Sequence, residues 1–172
     1  YLMSLNKDLI DKFLNITSNA AIAAYKHIGN KNKVLADKAA VDKMRSDLNQ
    51  LDIDGTIVIG EGELDEAPML YIGEKVGNEK GLSLDIAVDP VEGTNFVANN
   101  LPGGLSVIAV SEKNNLFNAP ETYMEKIAVG KNIPKEAIDL DFSIEKNIKN
   151  LADAKNKDVS DIRACLLDRP RH

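Results

Sequence analysis

Four carboxylates stand where the sequence passes from an apolar run into a glycine-bearing turn, or where a helix opens: Asp37, Glu61, Asp89 and Glu92. Carboxylate oxygens suit hard divalent cations, which neutralise a transferring phosphoryl group and lower the pKa of an attacking water. Glu61 and Asp89 each lie just beyond a short apolar run, Thr56–Ile59 and Leu84–Val88. Open α/β sheets place ligand crevices at that end of their strands. Glu92 follows Asp89 closely enough for both to face one metal cluster, and Asp37 can close the site from another direction. The chemistry to expect is phosphate-ester hydrolysis at a carboxylate metal site.

Each of these residues also has a plainer reading. In Asp89-Pro90-Val91-Glu92-Gly93-Thr94, Asp at N-cap, Pro at N1 and Glu at N3 form a helix capping box. The two readings are compatible, because a helix starting there would aim the N–H groups of Gly93 and Thr94 outward, as phosphate-binding helix starts do. Gly60-Glu61-Gly62-Glu63-Leu64-Asp65-Glu66 is either a solvated acidic loop or a cation site, and its mutually repelling carboxylates are easier to explain with a cation. Lys33 and Asp37 alone read as a surface lysine and a helix-start aspartate. Tyr123 could stack on a sugar or simply pack. His27 and His172 have no partner at ligand spacing, and Cys165 reads as a buried thiol in an apolar strand.

The elements that must position these groups follow from periodicity. Leu5, Leu9, Phe13, Ile16, Ala20 and Ala24 recur at helical spacing and predict an amphipathic helix over Leu5–Ile28, ended at Gly29. A second helix is predicted over Ala36–Leu51, with Asp37 in its first turn. Thr56–Ile59 and Leu84–Val88 predict strands, the first buried on both faces, each followed by an acidic turn. Leu105–Val110 predicts another strand, Asn114-Asn115 a hairpin turn, Ser143 the start of a short helix, and Asp161–Leu167 a last strand. No repeat, low-complexity tract or linker interrupts the pattern, and the chain is expected to be one domain.

Composition narrows the function class. The 172 residues are 44% apolar, enough for a core, and carry a net charge of -6 with no basic footprint for nucleic acid or an anionic membrane. A single cysteine allows no internal disulfide, and no run is long or apolar enough to span a bilayer, so the expected compartment is the cytoplasm.

Taken together, IDGTIVIGEGELDEAPMLYIGEKVG and LDIAVDPVEGT closely resemble the class II fructose-1,6-bisphosphatases, the bacterial GlpX type. The likeness runs from the first helix through ADKAAVDKMR and NAPETYMEK to the terminal RPRH. DPVEGT by itself is similar to the wider superfamily that includes the inositol monophosphatases. The resemblance implies an α/β (α+β layered) fold, the sugar-phosphatase-type αβαβα sandwich, of which residues 1–172 would be the amino-terminal metal- and phosphate-binding domain with the carboxyl-terminal half absent. It implies that Asp37, Glu61, Asp89 and Glu92 bind Mn²⁺ or Mg²⁺, two or more ions, and that Glu92, Gly93 and Thr94 contact phosphate. Thr94 would orient or activate the attacking water, with Lys33 and Asp65 in the active site. Tyr123 and Arg169, Pro170 and Arg171 would contact the sugar phosphate, Arg171 by a charge-assisted bond.

The reaction so implied is hydrolysis of the 1-phosphate of fructose 1,6-bisphosphate, a gluconeogenic step. Sedoheptulose 1,7-bisphosphate or an inositol phosphate is the alternative substrate. An incomplete fragment that binds metal without turnover is the alternative of another class. A homo-oligomer, or pairing with the missing half, is the expected assembly.

Overall fold

Asn6 opens the first helix by accepting the N–H of Leu9 on its side-chain oxygen at 2.8 Å. This helix, α1 (Lys7–Tyr25), buries Leu9, Phe13, Ile16, Ala20 and Ala24, the stripe expected from spacing. The computed structural model describes residues 5–60, 70–117 and 124–166. Asn32 caps the second helix, α2 (Lys33–Leu48), through the N–H of Leu35 at 3.2 Å. That cap starts α2 three residues earlier than predicted, so Asp37 falls in the second turn and not the first. Ala20 and Ala24 on α1, and Ala36 and Ala40 on α2, are buried small residues that let the two helices approach closely.

The helices cover one face of a mixed four-stranded sheet of order β2-β1-β3-β4, an α+β arrangement. Its strands are β1 (Ile53–Ile59), β2 (Lys75–Val76), β3 (Leu82–Glu92) and β4 (Leu105–Glu112). β1 runs parallel to β3, with Ile57 opposite Ile86, while β2 and β4 are antiparallel edge strands. Ile53, Ile57, Leu84 and Ile86 are fully buried against Met44 and Leu48. Each such side chain contributes on the order of 2 kcal/mol of burial. β1 alternates buried and half-buried residues and is therefore not buried on both faces.

Several expectations need correction here. The predicted strand Leu84–Val88 is only the middle of β3, which continues through Asp89, Pro90, Val91 and Glu92, so the capping-box helix does not form. Pairing with β4 decides this: Asp89 lies opposite Val107 and Glu92 opposite Leu105, with a register shift between them. Pro90, which has no N–H to give a ladder, sits in that irregularity. The helix that follows, α3 (Thr94–Ala98), starts after Gly93 and has only five residues.

The turn after β4 is present, with the N–H of Asn115 on the carbonyl of Glu112 at 3.2 Å and Asn114 at φ 66°. No returning strand follows among the described residues, because the Asp85 carboxylate takes the N–H groups of Asn115 (3.1 Å) and Leu116 (3.4 Å) instead.

The chain divides into two compact units, Tyr1–Pro120 and Glu121–His172. In the second, α4 (Ile144–Lys155) is capped as predicted by Ser143, whose hydroxyl accepts the N–H of Lys146 at 3.2 Å. The expected strand Asp161–Leu167 is absent from its described residues. Val159–Asp161 is a 3-10 turn, and residues 162–166 join no ladder. Cys165 is accordingly exposed and not a buried thiol.

Candidate metal and phosphate site

The carboxyl-terminal end of β3 carries the groups singled out above. Asp89 is half-buried, and its Oδ1 is buried with no hydrogen-bond partner. Burial is the main reason its pKa rises to about 6; a hydrogen bond with the Glu92 carboxyl, the charge of Glu92 and the charge of Asp37 push the same way, against the backbone N–H of Val91. Neighbouring carboxylates repel each other, and a cation placed between them relieves that repulsion. Asp37 is raised too, by burial alone.

The loop between α1 and α2 brings Asp37 to this end of the sheet. Gly29 donates its N–H to Val97 at 3.1 Å and Lys31 to Ala98 at 2.9 Å, fastening the start of α2 beside α3. Lys33 is the first residue of α2 and lies one turn before Asp37, so the two share a face. Lys33 is exposed.

Gly93 makes the change of direction from β3 into α3. Its φ is +81°, and an added Cβ would lie 2.8 Å from Cδ2 of Phe96, so both conformation and space require glycine. Thr94 is thereby placed, half-buried, at the first position of α3. No side chain caps that end. With one short turn behind it, α3 contributes oriented N–H groups but little macrodipole.

Gly60 ends β1 at the same edge of the sheet, since β1 and β3 are parallel and Ile59 pairs with Ala87. An added Cβ on Gly60 would come 2.1 Å from the carbonyl oxygen of Leu70. Glu61 and Asp65 lie outside the described residues, as do Tyr123, Arg169, Pro170 and Arg171. Of the proposed metal ligands, the structure therefore describes Asp37, Asp89 and Glu92. Among the described residues no three acidic, histidine or cysteine side chains are grouped closely enough to hold a metal ion by themselves. The orphaned Oδ1 and the all-oxygen donor set fit a hard divalent cation.

Ser106 escaped the reading from sequence. Its Oγ is buried without a partner, and the register puts it on β4 across from the irregularity between Asp89 and Glu92. A serine inside Leu105-Ser106-Val107-Ile108 looks like the polar half of an alternating strand, and only strand pairing reveals its neighbour. An open cavity beside Lys155, Lys157 and Arg163 belongs to the second unit and shares no residue with this site. Among the described residues no helix is long and apolar enough to cross a membrane.

Residues 7–172 match the family described as bacterial fructose-1,6-bisphosphatase, glpX-encoded. The chain is 49% identical over 168 residues to fructose-1,6-bisphosphatase 1 class 2 of Escherichia coli K12, covering 98% of this chain and 50% of that protein. It is 45% identical over 168 residues to the D-fructose 1,6-bisphosphatase class 2/sedoheptulose 1,7-bisphosphatase of Prochlorococcus marinus MIT 9312, with the same coverage of 98% and 50%. The chain thus spans about half the length of the curated relatives it matches. Among solved structures, an extragenic suppressor from Pyrococcus furiosus aligns with a TM-score of 0.42 and 19% identity over 62% of this chain and 41% of that one.

Proposed function

The chain belongs to the family of bacterial, glpX-encoded fructose-1,6-bisphosphatases, and from that premise we propose that it supplies the metal- and phosphate-binding part of an enzyme hydrolysing the 1-phosphate of fructose 1,6-bisphosphate. The products are fructose 6-phosphate and inorganic phosphate. One observation carries the reading: a half-buried Asp89 with an unpartnered oxygen, set against Glu92 and within the field of Asp37.

In this reading Asp37, Asp89 and Glu92, with Glu61, hold the ions. Bound Mg²⁺ or Mn²⁺ would neutralise phosphate charge and lower the pKa of water. Gly93 and Thr94 offer N–H groups to phosphate oxygens, and the Thr94 hydroxyl orients the attacking water for in-line displacement. Lys33 contributes positive charge at the edge of the site, and Asp65 assists the nucleophile or an ion. Tyr123, Arg169, Pro170 and Arg171 contact the sugar phosphate. The domain would form the amino-terminal part of an αβαβα sandwich, with a homo-oligomer or a carboxyl-terminal half completing the assembly.

Phosphate release from fructose 1,6-bisphosphate with Mn²⁺ tests this, using the chain alone and mixed with a carboxyl-terminal half from the Escherichia coli relative. Turnover that requires the chain, and that is lost in Glu61→Gln, is expected. No turnover in any combination, or normal turnover in Glu61→Gln, would refute it. Sedoheptulose 1,7-bisphosphate belongs in the same assay, because the Prochlorococcus relative is named for both activities.

A further inference from the structure

The second unit gathers cations around a hollow. A cavity of about 430 Å³ is lined there by Lys155, Lys157, Ser160, Asp161, Ile162 and Arg163. The turn after α4 builds it. Asn156 takes a left-handed conformation, φ 51°, and reverses the chain, so that the N–H of Lys157 returns to the carbonyl of Ala152 at 3.0 Å. The N–H of Ile162 then closes the 3-10 turn on the carbonyl of Val159 at 3.1 Å. Like charges brought together repel one another, and the chain does not neutralise these. Lys12, Lys38, Lys43 and Lys75 each hold an aspartate within 2.9 Å. Lys155, Lys157 and Arg163 have no ion-pair partner among the described residues, although Asp153, Asp158 and Asp161 are close in sequence. The Ser160 hydroxyl has no hydrogen-bond partner among them either. A lysine at a helix end often serves only the negative pole of that helix. Here the carbonyls of Ala152 and Asp153 already take the N–H groups of Asn156 and Lys157, and the ammonium of Lys155 is not needed to cap them.

We propose that this cavity is a second ligand site, which binds a phosphate monoester of a small polyhydroxylated molecule without a metal ion. Arg163 offers the fork of N–H donors that suits phosphate oxygens, Lys155 and Lys157 add point charge, and Ser160 adds a neutral donor. Three cations less the one acid, Asp161, leave the wall at +2, which balances a phosphate dianion. Asp161 would repel a bare anion, yet its carboxylate accepts hydrogen bonds from the hydroxyl groups of a polyol. The cavity falls in the size range of small-molecule sites and is too roomy for a phosphate ion alone. No aromatic side chain lines it, so a nucleotide base has nothing to stack on. The carboxylates at the end of β3 need a cation before they attract phosphate. This cavity does not, and a chelator therefore separates the two sites.

Amide NMR of the full chain in chelator, titrated with glucose 6-phosphate at about 0.15 M salt, tests the proposal. Saturable shifts centred on residues 155–163 are expected, with none from glucose and weaker binding of inorganic phosphate, citrate and AMP. Arg163→Gln, at an exposed position, should weaken binding about tenfold, the loss of a charge-assisted contact, and leave the helical circular dichroism signal unchanged. Lys157→Gln serves if that variant fails to fold. Lys131→Gln, which removes an exposed cation of the same unit outside the cavity, should leave the affinity as it is. Absence of saturable binding would overturn the proposal, as would shifts centred on Gly93 and Thr94. So would inorganic phosphate, citrate or AMP bound at least as tightly as glucose 6-phosphate. Equal weakening by Lys131→Gln would overturn it too, by showing attraction to surface charge at large.

Discussion

Glu74 and Asp89 are both carboxylates drawn partly out of water beside the same sheet, and their surroundings differ in sign. Glu74 receives the guanidinium of Arg45 in a two-pronged contact, Nε at 2.6 Å and Nη2 at 3.0 Å, and the N–H of Tyr71 at 3.2 Å. Asp89 meets another carboxyl, Glu92, feels a third, Asp37, and leaves one oxygen without a partner. The first charge is matched by the chain's own residues and joins α2 to the segment before β2. The second is left to be matched from outside. In the proposed reading this contrast separates a structural carboxylate from one that awaits a ligand.

The largest effect should come from breaking the matched pair. Glu74→Ala removes the two-pronged partner of a half-buried guanidinium, and a loss of about 3 kcal/mol in urea unfolding is expected. An unchanged midpoint would mean that the contact is worth no more than a surface ion pair.

Removing the unmatched charge should act in the opposite direction. Asp89 titrates near 6 when folded against 3.8 when unfolded, so between those values the folded chain keeps a proton that the unfolded chain has shed. Stability therefore falls as pH rises through that window and stays reduced above it, by an amount that solvent screening of the half-exposed Asp89 holds below the full shift. Asp89→Asn should melt higher than the parent at pH 8 in the presence of a chelator and match it near pH 3. An Asn variant less stable at pH 8 would show that Asp89 is matched by something else.

A bound cation should close the same gap. At a hundredfold excess over its dissociation constant, Mn²⁺ would raise stability by about 2.7 kcal/mol at neutral pH. The gain should weaken below pH 6, where protons compete for the carboxylates, and largely vanish in Asp89→Asn. Equal thermal shifts in parent and variant would place the cation elsewhere.

How much of this was legible in the sequence depended on whether the deciding interaction was local. α1 and α4 were readable because their caps, Asn6 and Ser143, and their apolar spacing lie within the segments themselves. The end of β3 was not. Asp89-Pro90-Val91-Glu92 carries the local chemistry of a helix start, and only pairing with Val107 and Leu105 on β4 makes it strand. The acidic residues stand out in the sequence by type and position, which makes them candidates, but the turn of α2 that carries Asp37 depended on Asn32, and the buried hydroxyl of Ser106 on a neighbouring strand. Cys165 was misplaced because an apolar run becomes a strand only where another strand offers a ladder.

The smallest effect, and the most discriminating, belongs to Asp37. Burial raises its pKa, less than that of Asp89, so Asp37→Asn should also stabilise the chain above the carboxylate range, by a smaller amount. Its charge is among those that raise Asp89, so removing it should lower the pH at which Asp89 titrates. The carboxyl carbon resonance of Asp89, followed by NMR across a pH series in chelator, reads that shift directly. A titration midpoint unmoved by Asp37→Asn would detach α2 from the carboxylate pair, leaving Asp89 and Glu92 to bind any cation without it. A midpoint moved downward, with the helical signal intact, would tie the second turn of α2 to the end of β3 through charge alone, at positions far apart in sequence.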